Sequence, residues 1–349
     1  MTKKRLLILI PGFPHDGRDT FTTPFIQQFL VSLLENYKEL DIIIYSLYIP
    51  KGKPYTWRSI RVIPLNIPQK TWFLKLFSLV KSLFKIGNHL RRHKVDGILS
   101  FWYSETAMLG NILSFVFQKK HFVWLQGQDV KESNRFMKYF RPNPDNLIAI
   151  SNFQNKHLYS AFGFKAKTTI PIAVTPSFFP KLNEYSRNID ILGVGALIPL
   201  KNYDLFLNII SELHKTLPNI RVVLIGNGSL EENLQRTIRE EKLTNIITLP
   251  GLLPHQKVLE YMNNTKIFIH TSYFEGGATV LHEALYSGCQ VISTLPIIEG
   301  ENIPFYNITS KKEIVHKVKM LLEEGMPVKR FCSSDHKSTT KIVHDLFFG

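Results

Sequence analysis

Short apolar runs alternate with longer segments of helical period along the first half of the chain. An apolar run without alternation predicts a strand buried on both faces, whereas a 3.6-residue period predicts a helix. Strands are predicted over residues 6–11, 41–47, 95–100, 121–125, 146–150 and 168–170. Helices are predicted over residues 24–37, 72–92, 105–117 and 152–162. This alternation is typical of a parallel sheet that helices cover on both faces.

The same alternation restarts in the second half of the chain, after a segment without a sustained period. That segment, residues 175–188, contains Pro, Asn and Ser and is typical of a connection between domains. Strands are then predicted over residues 189–194, 221–225, 246–249, 267–270 and 290–293. Helices are predicted over residues 203–215, 230–242, 256–262 and 279–287.

We therefore predict an α/β protein with two Rossmann-like, doubly wound domains that face a cleft. The first domain is expected over residues 1–174 and the second over residues 189–330. Residues 331–349 are expected to form a C-terminal helix that packs back on the first domain. Ligands of such sheets bind outside the carboxyl ends of the strands, so the chemistry is expected in the loops at those ends.

Composition narrows the class of protein. Of the 349 residues, 44% are hydrophobic and 20% are charged, which excludes a disordered or fibrous chain. The two cysteines, Cys289 and Cys332, are too few for a disulfide framework or a structural zinc site, which favours a reducing cytosol. We expect no signal peptide, because the first apolar run ends at Pro11. No apolar window approaches the roughly 20 residues of a membrane span.

The charge balance indicates a polyanionic partner. The chain has 43 Lys or Arg and 28 Asp or Glu residues, a formal net charge of +15. Such a surplus attracts nucleic acid, anionic lipid headgroups or phosphorylated small molecules, and charge alone does not choose among them. The sequence has neither a helix-turn-helix signature nor an interleaved aromatic and basic motif, which argues against nucleic acid.

Two glycine-rich turns follow the first two strands of the second half. Gly195 lies between a strand and Lys201, and the next strand ends at Gly226-Asn227-Gly228. A turn of this kind lets backbone N–H groups approach a phosphate, and a lysine at the helix start adds a positive charge. The same glycines are equally typical of a plain strand-to-helix turn.

The most specific motif spans residues 272–284, directly after a predicted strand. It contains two carboxylates eight positions apart, Glu275 and Glu283. Between them lie small residues and a predicted helix start: Gly276, Gly277, Ala278, Thr279 and Val280. Carboxylates accept hydrogen bonds from sugar hydroxyls, and the free N–H groups of a helix start hold diphosphates. The pair suits a nucleotide sugar; a capping acid with a solvent-facing Glu is the plain structural alternative.

These motifs resemble those of the retaining glycosyltransferases of family 4, in glycosyl transferases group 1, which have the GT-B fold. Five features follow the family's order and spacing: Lys201, the turn at 226–228, Glu275, Glu283 and Gly288. The first half agrees more loosely, through the loop at Gly12, Ser151 and residues 171–174. The resemblance covers nearly the whole chain.

The resemblance implies transfer of a hexose from a nucleotide diphosphate sugar to an acceptor hydroxyl, with retention at the anomeric carbon. The product would be a cell-surface polysaccharide or a glycolipid, with the acceptor on the first domain and the donor on the second. Glu283 would accept the ribose hydroxyls, Lys201 and the amides of residues 278–280 would neutralise the diphosphate, and Glu275 would bind the transferred sugar. Lys201 and Glu275 are the candidate catalytic residues. The other candidate donor-binding residues are Gly12, Gly195, Gly226, Asn227, Gly276, Gly277, Ala278, Thr279, Val280 and Glu283.

We expect no cofactor beyond the donor, for which a UDP-sugar is slightly favoured, and no metal. No group of His, Cys and Asp has metal-ligand spacing, and no Asp-x-Asp occurs. His15 and His270 are not assigned a catalytic role, because most histidines at such positions are loop or core residues.

Two departures from the family's pattern leave an alternative open. Ala196 stands where the family has an Arg, and Gln126 stands where it has a His. A non-catalytic nucleotide-sugar-binding relative of the same fold is therefore the main rival. An oxidoreductase with two Rossmann domains would need Gly-x-Gly-x-x-Gly after the first strand, and residues 12–17 lack that spacing.

The segment from Lys70 to Lys94 carries seven basic residues and no acid. On a helical wheel one flank is basic, with Lys70, Lys81, Lys85 and Arg92. The adjacent apolar face consists of Trp72, Leu76, Leu79, Leu83, Ile86 and Leu90. Either this is a surface helix with its apolar face in the core, or the basic flank holds the protein on anionic lipid beside a lipid-linked acceptor. The second interpretation predicts a cytoplasmic protein, peripheral on the inner face of the cell membrane.

Overall fold

The structure is a computed structural model and describes residues 4–20, 22–325, 328–332 and 334–349. The chain divides into two compact units. The first unit consists of Met1–Ile172 and His336–Gly349, and the second consists of Ala173–Asp335. Each unit is built on a mainly parallel sheet, which confirms the predicted α/β class with two parallel-sheet domains.

The sheet of the first unit has eight strands. They are β1 (Lys4–Gly12), β2 (Leu40–Ile49), β3 (Tyr55–Trp57), β4 (Ile60–Pro64), β5 (Gly97–Phe101), β6 (Lys120–Trp124), β7 (Leu147–Ala149) and β8 (Thr168–Thr169). Their order is β3-β4-β2-β1-β5-β6-β7-β8. In the described part of the chain, β3 and β4 pair antiparallel and the other neighbouring strands are parallel.

Helices cover both faces of this sheet. They are α1 (Pro24–Asn36), α2 (Trp72–Arg92), α3 (Glu105–Phe117), α4 (Arg135–Tyr139) and α5 (Asn152–Phe162). Successive side chains of β1 point to opposite faces. Leu6 and Ile8 therefore pack in the core on the α1 side, whereas Leu7 and Leu9 pack in the core on the side of α2 and α3.

The sheet of the second unit has six strands, all parallel. They are β9 (Ile189–Val194), β10 (Val222–Ile225), β11 (Ile247–Gly251), β12 (Thr265–His270), β13 (Gln290–Ser293) and β14 (Phe305–Asn307), in the order β11-β10-β9-β12-β13-β14. Its helices are α6 (Tyr203–His214), α7 (Glu231–Glu240), α8 (His255–Asn263), α9 (Thr279–Tyr286) and α10 (Lys311–Glu324). The chain then forms α11 (His336–Phe348), which belongs to the first unit. Short 3-10 turns span Gln128–Val130, Pro144–Asn146, Pro176–Phe178 and Pro199–Lys201.

The segment at 175–188, interpreted from sequence as a connection between domains, packs within the second unit. The backbone N–H of Asn183 donates to Asn263 Oδ1 at 3.1 Å, and Asn263 Nδ2 donates to the carbonyl of Lys181 at 2.9 Å. The Arg187 guanidinium donates to the carbonyls of Thr265 and Ser287. A lack of periodicity therefore marks an irregular backbone here, and the segment is anchored by side-chain hydrogen bonds.

Several elements were not predicted from the sequence. The hairpin of β3 and β4 turns at Arg58, whose φ of 52° lies in the left-handed region without the usual Gly or Asn. The strand β14 has only three residues and the helix α4 only five, too short for a clear period. The helix α10 does show a period, because Ile314, Val318 and Leu321 are buried at spacings of four and three, and the pattern could have revealed it.

Candidate functional site

The candidate site lies where the strand order of the second sheet reverses. The strand β9 comes first in the sequence, yet it lies between β10 and β12. The loops that leave its carboxyl end and that of β12 meet, since the Tyr273 N–H donates to the Leu200 carbonyl at 2.9 Å. The Thr271 hydroxyl donates to the Lys201 carbonyl at 2.8 Å. In open α/β sheets this switch point is where ligands bind.

Lys201 and Glu275 form an ion pair at this point. Lys201 ends the 3-10 turn before α6, and its Nζ contacts Glu275 Oε1. Both side chains are largely buried, at 17% and 19% exposed. Ser272 Oγ donates a second hydrogen bond to Glu275 Oε1 at 3.2 Å. Burial alone raises the pKa of Glu275, but the neighbouring His270 and Lys201 outweigh it and lower the pKa to about 2. Glu275 is therefore a carboxylate throughout the neutral range, able to accept hydrogen bonds and unsuited to donating a proton.

His270 lies beneath this pair at the end of β12. It is 4% exposed, and its Nδ1 is 3.1 Å from Ser293 Oγ. Its Nε2 lies 3.8 Å from Glu275 Oε1, on the side from which His270 helps to lower the pKa of that carboxylate. Burial lowers the pKa of His270, and Lys201 lowers it further, against an opposing effect of Glu275. The ring is neutral at pH 7, so Lys201 is the cation of this cluster. The sequence already indicated the position of His270, because it ends a predicted buried strand.

The two glycine-rich turns pack directly against each other. A Cβ atom on Gly226 would lie 1.9 Å from the Gly195 carbonyl oxygen, and one on Gly228 would lie 2.4 Å from that of Leu197. The Leu197 N–H donates to the Asn227 carbonyl at 2.8 Å. Close backbone approach thus accounts for Gly226 and Gly228 without any ligand. The same packing brings the candidate donor-binding residues Gly195, Gly226 and Asn227 together.

The helix α9 begins directly after the loop that carries Glu275. Ala278 has a φ of 44° and forms the N-cap, and the buried Gly276 and Gly277 precede it. The first N–H groups of a helix, here those of Thr279 and Val280, have no acceptor within the helix and carry the positive end of its dipole. The start of α9 and Lys201 therefore both flank Glu275 with positive charge.

Glu283 forms a second pair, with a residue that sequence analysis did not single out. Glu283 projects from α9 and is 7% exposed, and its Oε1 is 2.7 Å from His255 Nε2. His255 is the first residue of α8 and follows β11. Burial lowers the pKa of His255, but Glu283 outweighs this effect and the pKa is raised. No sequence signal linked the two residues, because only the tertiary fold brings α8 beside α9.

Candidate residues of the first unit have local structural roles. A Cβ atom on Gly12 would lie 2.5 Å from Ile49 Cγ1, so a larger residue at the end of β1 would displace the Ile49 side chain. The Ser151 hydroxyl caps α5 by accepting from the Gln154 N–H at 2.9 Å. Asp129 organises the loop that contains Gln126. Its carboxylate accepts hydrogen bonds from the backbone N–H groups of Tyr103, Gln126 and Gly127.

Across the described ranges, no three His, Cys, Asp or Glu side chains come together in a way that would hold a metal ion.

A comparison with protein families gives a match in the second unit. Residues 174–301 match the model of the family described as glycosyl transferases group 1. The match spans Lys201, Glu275 and Glu283 and lies within the second unit.

Relatives of the chain include subunits of phosphatidylinositol N-acetylglucosaminyltransferase. The GPI3 subunit of phosphatidylinositol N-acetylglucosaminyltransferase from Saccharomyces cerevisiae is 24% identical over 224 residues, which cover 60% of this chain and 50% of the subunit. The chain thus spans about half the length of the curated relatives that it matches first.

Solved structures resemble nearly the whole chain. Sucrose-phosphate synthase from Thermosynechococcus elongatus is 14% identical with a TM-score of 0.72, covering 99% of this chain and 95% of its own. The Anabaena protein HepE, solved in complex with UDP and glucose, is 14% identical with a TM-score of 0.68, covering 97% and 98%. Both have the GT-B fold, and at this identity the likeness concerns the fold alone. The family match adds support for a glycosyltransferase.

Proposed function

We propose that this protein transfers a hexose from a nucleotide diphosphate sugar to an acceptor hydroxyl, with retention at the anomeric carbon. The observation that carries the proposal is the Lys201–Glu275 pair at the switch point of the second sheet, beside the start of α9. The family match over residues 174–301 supports it. We further propose that the reaction belongs to the synthesis of a cell-surface polysaccharide or a glycolipid.

The charges of the site fit stabilisation of a leaving diphosphate. A lysine ammonium has three N–H donors, so Lys201 can bind a phosphate oxygen while it still contacts Glu275. The backbone N–H groups of Thr279 and Val280 provide further hydrogen-bond donors at the same loop. As the glycosidic bond breaks, negative charge grows on the diphosphate, and donors already in place stabilise that transition state.

The two glutamates would hold the rest of the donor. Glu275 is ionised and accepts hydrogen bonds from hydroxyls of the transferred sugar, which becomes cation-like as the bond breaks. Glu283 accepts from the ribose hydroxyls, with His255 fixing the position of its carboxylate. No residue is assigned as a covalent nucleophile.

Two comparisons support the choice of substrates. The similar fold of HepE, solved with UDP and glucose, favours a UDP-sugar as donor. The name of the yeast relative describes a transferase acting on phosphatidylinositol, which favours a lipid-linked acceptor. A peripheral position on an anionic membrane, with Lys70, Lys81, Lys85 and Arg92 facing it, is part of the same proposal.

A second candidate is a protein that binds nucleotide sugars without transferring them. Ala196 and Gln126 favour it, because they replace a cation and an imidazole of the family's pattern. Both candidates predict that the protein binds the nucleotide sugar, but only the first predicts that it transfers the sugar.

The two candidates are separated by measuring binding and turnover on the same protein. Calorimetry with a panel of UDP-, GDP- and ADP-sugars gives donor affinity, and release of the nucleoside diphosphate gives turnover. We expect both binding and turnover with one class of donor. Proton NMR should show that the transferred sugar has the same anomeric configuration in the product as in the donor. Binding without turnover, with a lipid-linked acceptor supplied, would favour the second candidate, and an inverted product would contradict retention.

The contact of Lys201 with the diphosphate has a test of its own. Lys201→Ala should weaken donor binding more at low salt than at high salt, because added ions screen the contribution of a point charge. The matched control is Lys257→Ala, since Lys257 is paired with Glu260 on the exposed side of α8. A loss of affinity that does not change with salt would contradict a diphosphate contact.

A further inference from the structure

The helix α2 has apolar side chains on two opposite sides. One side packs on the sheet of the first unit through Leu79, Ile86 and Leu90, all buried. The other side carries Phe73, Phe77, Val80 and Phe84, which are 63%, 69%, 43% and 75% exposed. They follow one another at spacings of four, three and four residues. These spacings place the four residues on one face of the helix. Packing on the sheet accounts for the first side and leaves the second unexplained.

The exposed apolar residues continue at the start of α2. The helical wheel put Trp72 and Leu76 on the same apolar face as Leu79, but they are 66% and 53% exposed. Burial in α2 begins only at Leu79, and no side chain between residues 72 and 78 is buried. The Trp72 ring stacks on Phe73 with centroids 4.1 Å apart.

The neighbouring helix α3 adds to the same pattern. An ion pair of Lys75 with Glu105 joins the first turns of α2 and α3, and a Cβ atom on Gly87 would lie 3.4 Å from the Phe117 ring. The two helices therefore lie side by side and run in the same direction. We call their large exposed side chains the apolar surface: Trp72, Phe73, Leu74, Leu76, Phe77, Val80, Phe84, Ile112, Phe115 and Val116. These are ten of the eighteen large apolar side chains that are exposed in the described part of the chain, so they are concentrated and not scattered.

Positive charge borders the apolar surface. Lys70, Lys81, Lys85 and Arg92 are all exposed, and no acid occurs between residues 70 and 94. Partial burial lowers the pKa of Lys85, and the positive charge of the neighbouring Lys81 adds to this effect.

We propose that the apolar surface inserts into the interfacial region of an anionic bilayer, with its aromatic rings among the acyl chains and its basic border on the headgroups. Amphipathic helices that lie on membranes combine aromatic and aliphatic side chains with lysine and arginine in this way. Tryptophan, here at the start of α2, favours the boundary between headgroups and acyl chains. Among the described residues, no helix is long and apolar enough to cross a membrane, so the proposed contact is a surface one.

Charge decides between a bilayer and a second copy of this chain. In a symmetric dimer the same patch lies on both sides of the interface, so the basic borders would face each other and repel. An anionic bilayer complements both the apolar residues and the charges. The inference deepens the proposed function by naming its membrane contact, but vesicle binding requires neither donor nor turnover, so either can fail alone.

Vesicle co-sedimentation tests the proposal with the full chain. We expect binding to vesicles of phosphatidylcholine with phosphatidylglycerol, weak binding to pure phosphatidylcholine, and a decline with added salt. Replacing two exposed rings, in Phe77→Ser/Phe84→Ser, should lower the partition coefficient about tenfold or more. Reversing two charges, in Lys81→Glu/Lys85→Glu, should lower it by a similar factor and weaken its salt dependence. Trp72 emission should shift to shorter wavelength on anionic vesicles, and Trp72→Phe should lose that change.

Matched variants in the second unit serve as controls. Tyr185 is 96% exposed, so Tyr185→Ser removes an exposed ring elsewhere, and Lys311→Glu/Lys312→Glu reverses the same number of charges at the start of α10. Both should bind vesicles like the parent protein, and all variants should keep donor affinity. Equal binding to neutral and anionic vesicles, or none to either, would overturn the proposal. So would a self-association in solution that Phe77→Ser/Phe84→Ser abolishes, since the apolar surface would then join two copies of the chain.

Discussion

Four titratable side chains of the candidate site form two pairs with different electrostatics. In the first pair Lys201 keeps Glu275 ionised, with a pKa of about 2, and His270 stays neutral because it is buried. In the second pair Glu283 raises the pKa of His255. The first pair therefore offers a fixed positive and a fixed negative charge, which suits a diphosphate and sugar hydroxyls. The second holds a buried carboxylate in place.

Removing the second carboxylate should weaken donor binding. We expect Glu283→Ala to raise the dissociation constant of the nucleoside diphosphate about 10- to 100-fold, because charge-assisted hydrogen bonds contribute about 1.5 to 3 kcal/mol. Titration calorimetry measures the change. Glu232→Ala, which removes an exposed carboxylate from α7, should leave the affinity unchanged. Unchanged affinity in Glu283→Ala itself would contradict the assignment of the ribose contact.

The last helix of the chain completes the core of the first unit. Val343 and Phe347 of α11 are buried among residues of the first sheet, and the Phe347 ring meets Phe122 edge to face at 5.2 Å. This close packing depends on Gly97 in β5, because a Cβ atom there would lie 2.2 Å from Phe347 Cδ1. A long-range contact thus ties the end of the chain to the middle of the sheet.

Filling the space beside Phe347 should destabilise the first unit. We expect Gly97→Ala to lower the free energy of unfolding by about 1 to 3 kcal/mol through overpacking. Phe347→Ala should lower it by about 3 to 5 kcal/mol through a cavity. The double variant should lose less unfolding free energy than the two single variants lose together, because removal of the Phe347 ring also removes the clash with the new Cβ.

Urea unfolding followed by tryptophan fluorescence measures these changes, because all four tryptophans lie between residues 57 and 124 and so report on the first unit. Gly17→Ala is the control, as no atom lies within 4 Å of the added Cβ. An unaltered stability in Gly97→Ala would show that α11 does not pack on β5 as described.

The charge of the chain as a whole bears on both partners that we propose. A formal charge of +15 favours binding of a diphosphate and of an anionic bilayer. The family match and the candidate donor site lie in the second unit, and the apolar surface lies in the first. The two proposed activities therefore use different units. Donor binding can be measured in variants of the apolar surface, and vesicle binding can be measured in variants of the donor site.

Chelation should leave donor turnover intact. The proposed donors to the diphosphate are the Lys201 ammonium and the start of α9, so we expect activity to persist in EDTA at the rate seen without it. The assay uses the donor identified in the panel, before and after dialysis against the chelator. Complete loss of activity, restored by magnesium or manganese, would contradict this part of the mechanism.

Local pattern was enough to predict most elements. The periods at 72–92, 105–117 and 152–162 predicted α2, α3 and α5 with the bounds that the structure has, because burial repeats every 3.6 residues in a helix. The sequence likewise predicted Glu275 in a loop and Glu283 on the following helix, and the structure has Glu275 between β12 and α9 and Glu283 on α9.

The contacts between distant segments became visible only in the tertiary structure. Lys201 and Glu275 are 74 residues apart and His255 and Glu283 are 28 apart, and strand order brings each pair together. The helical wheel of α2 showed an apolar side, but Leu79, Ile86 and Leu90 of that side are buried and Trp72 and Leu76 are exposed. A sequence period records that one side of an element is apolar, whereas the neighbours that cover that side, or leave it exposed, are decided by the packing of the whole chain.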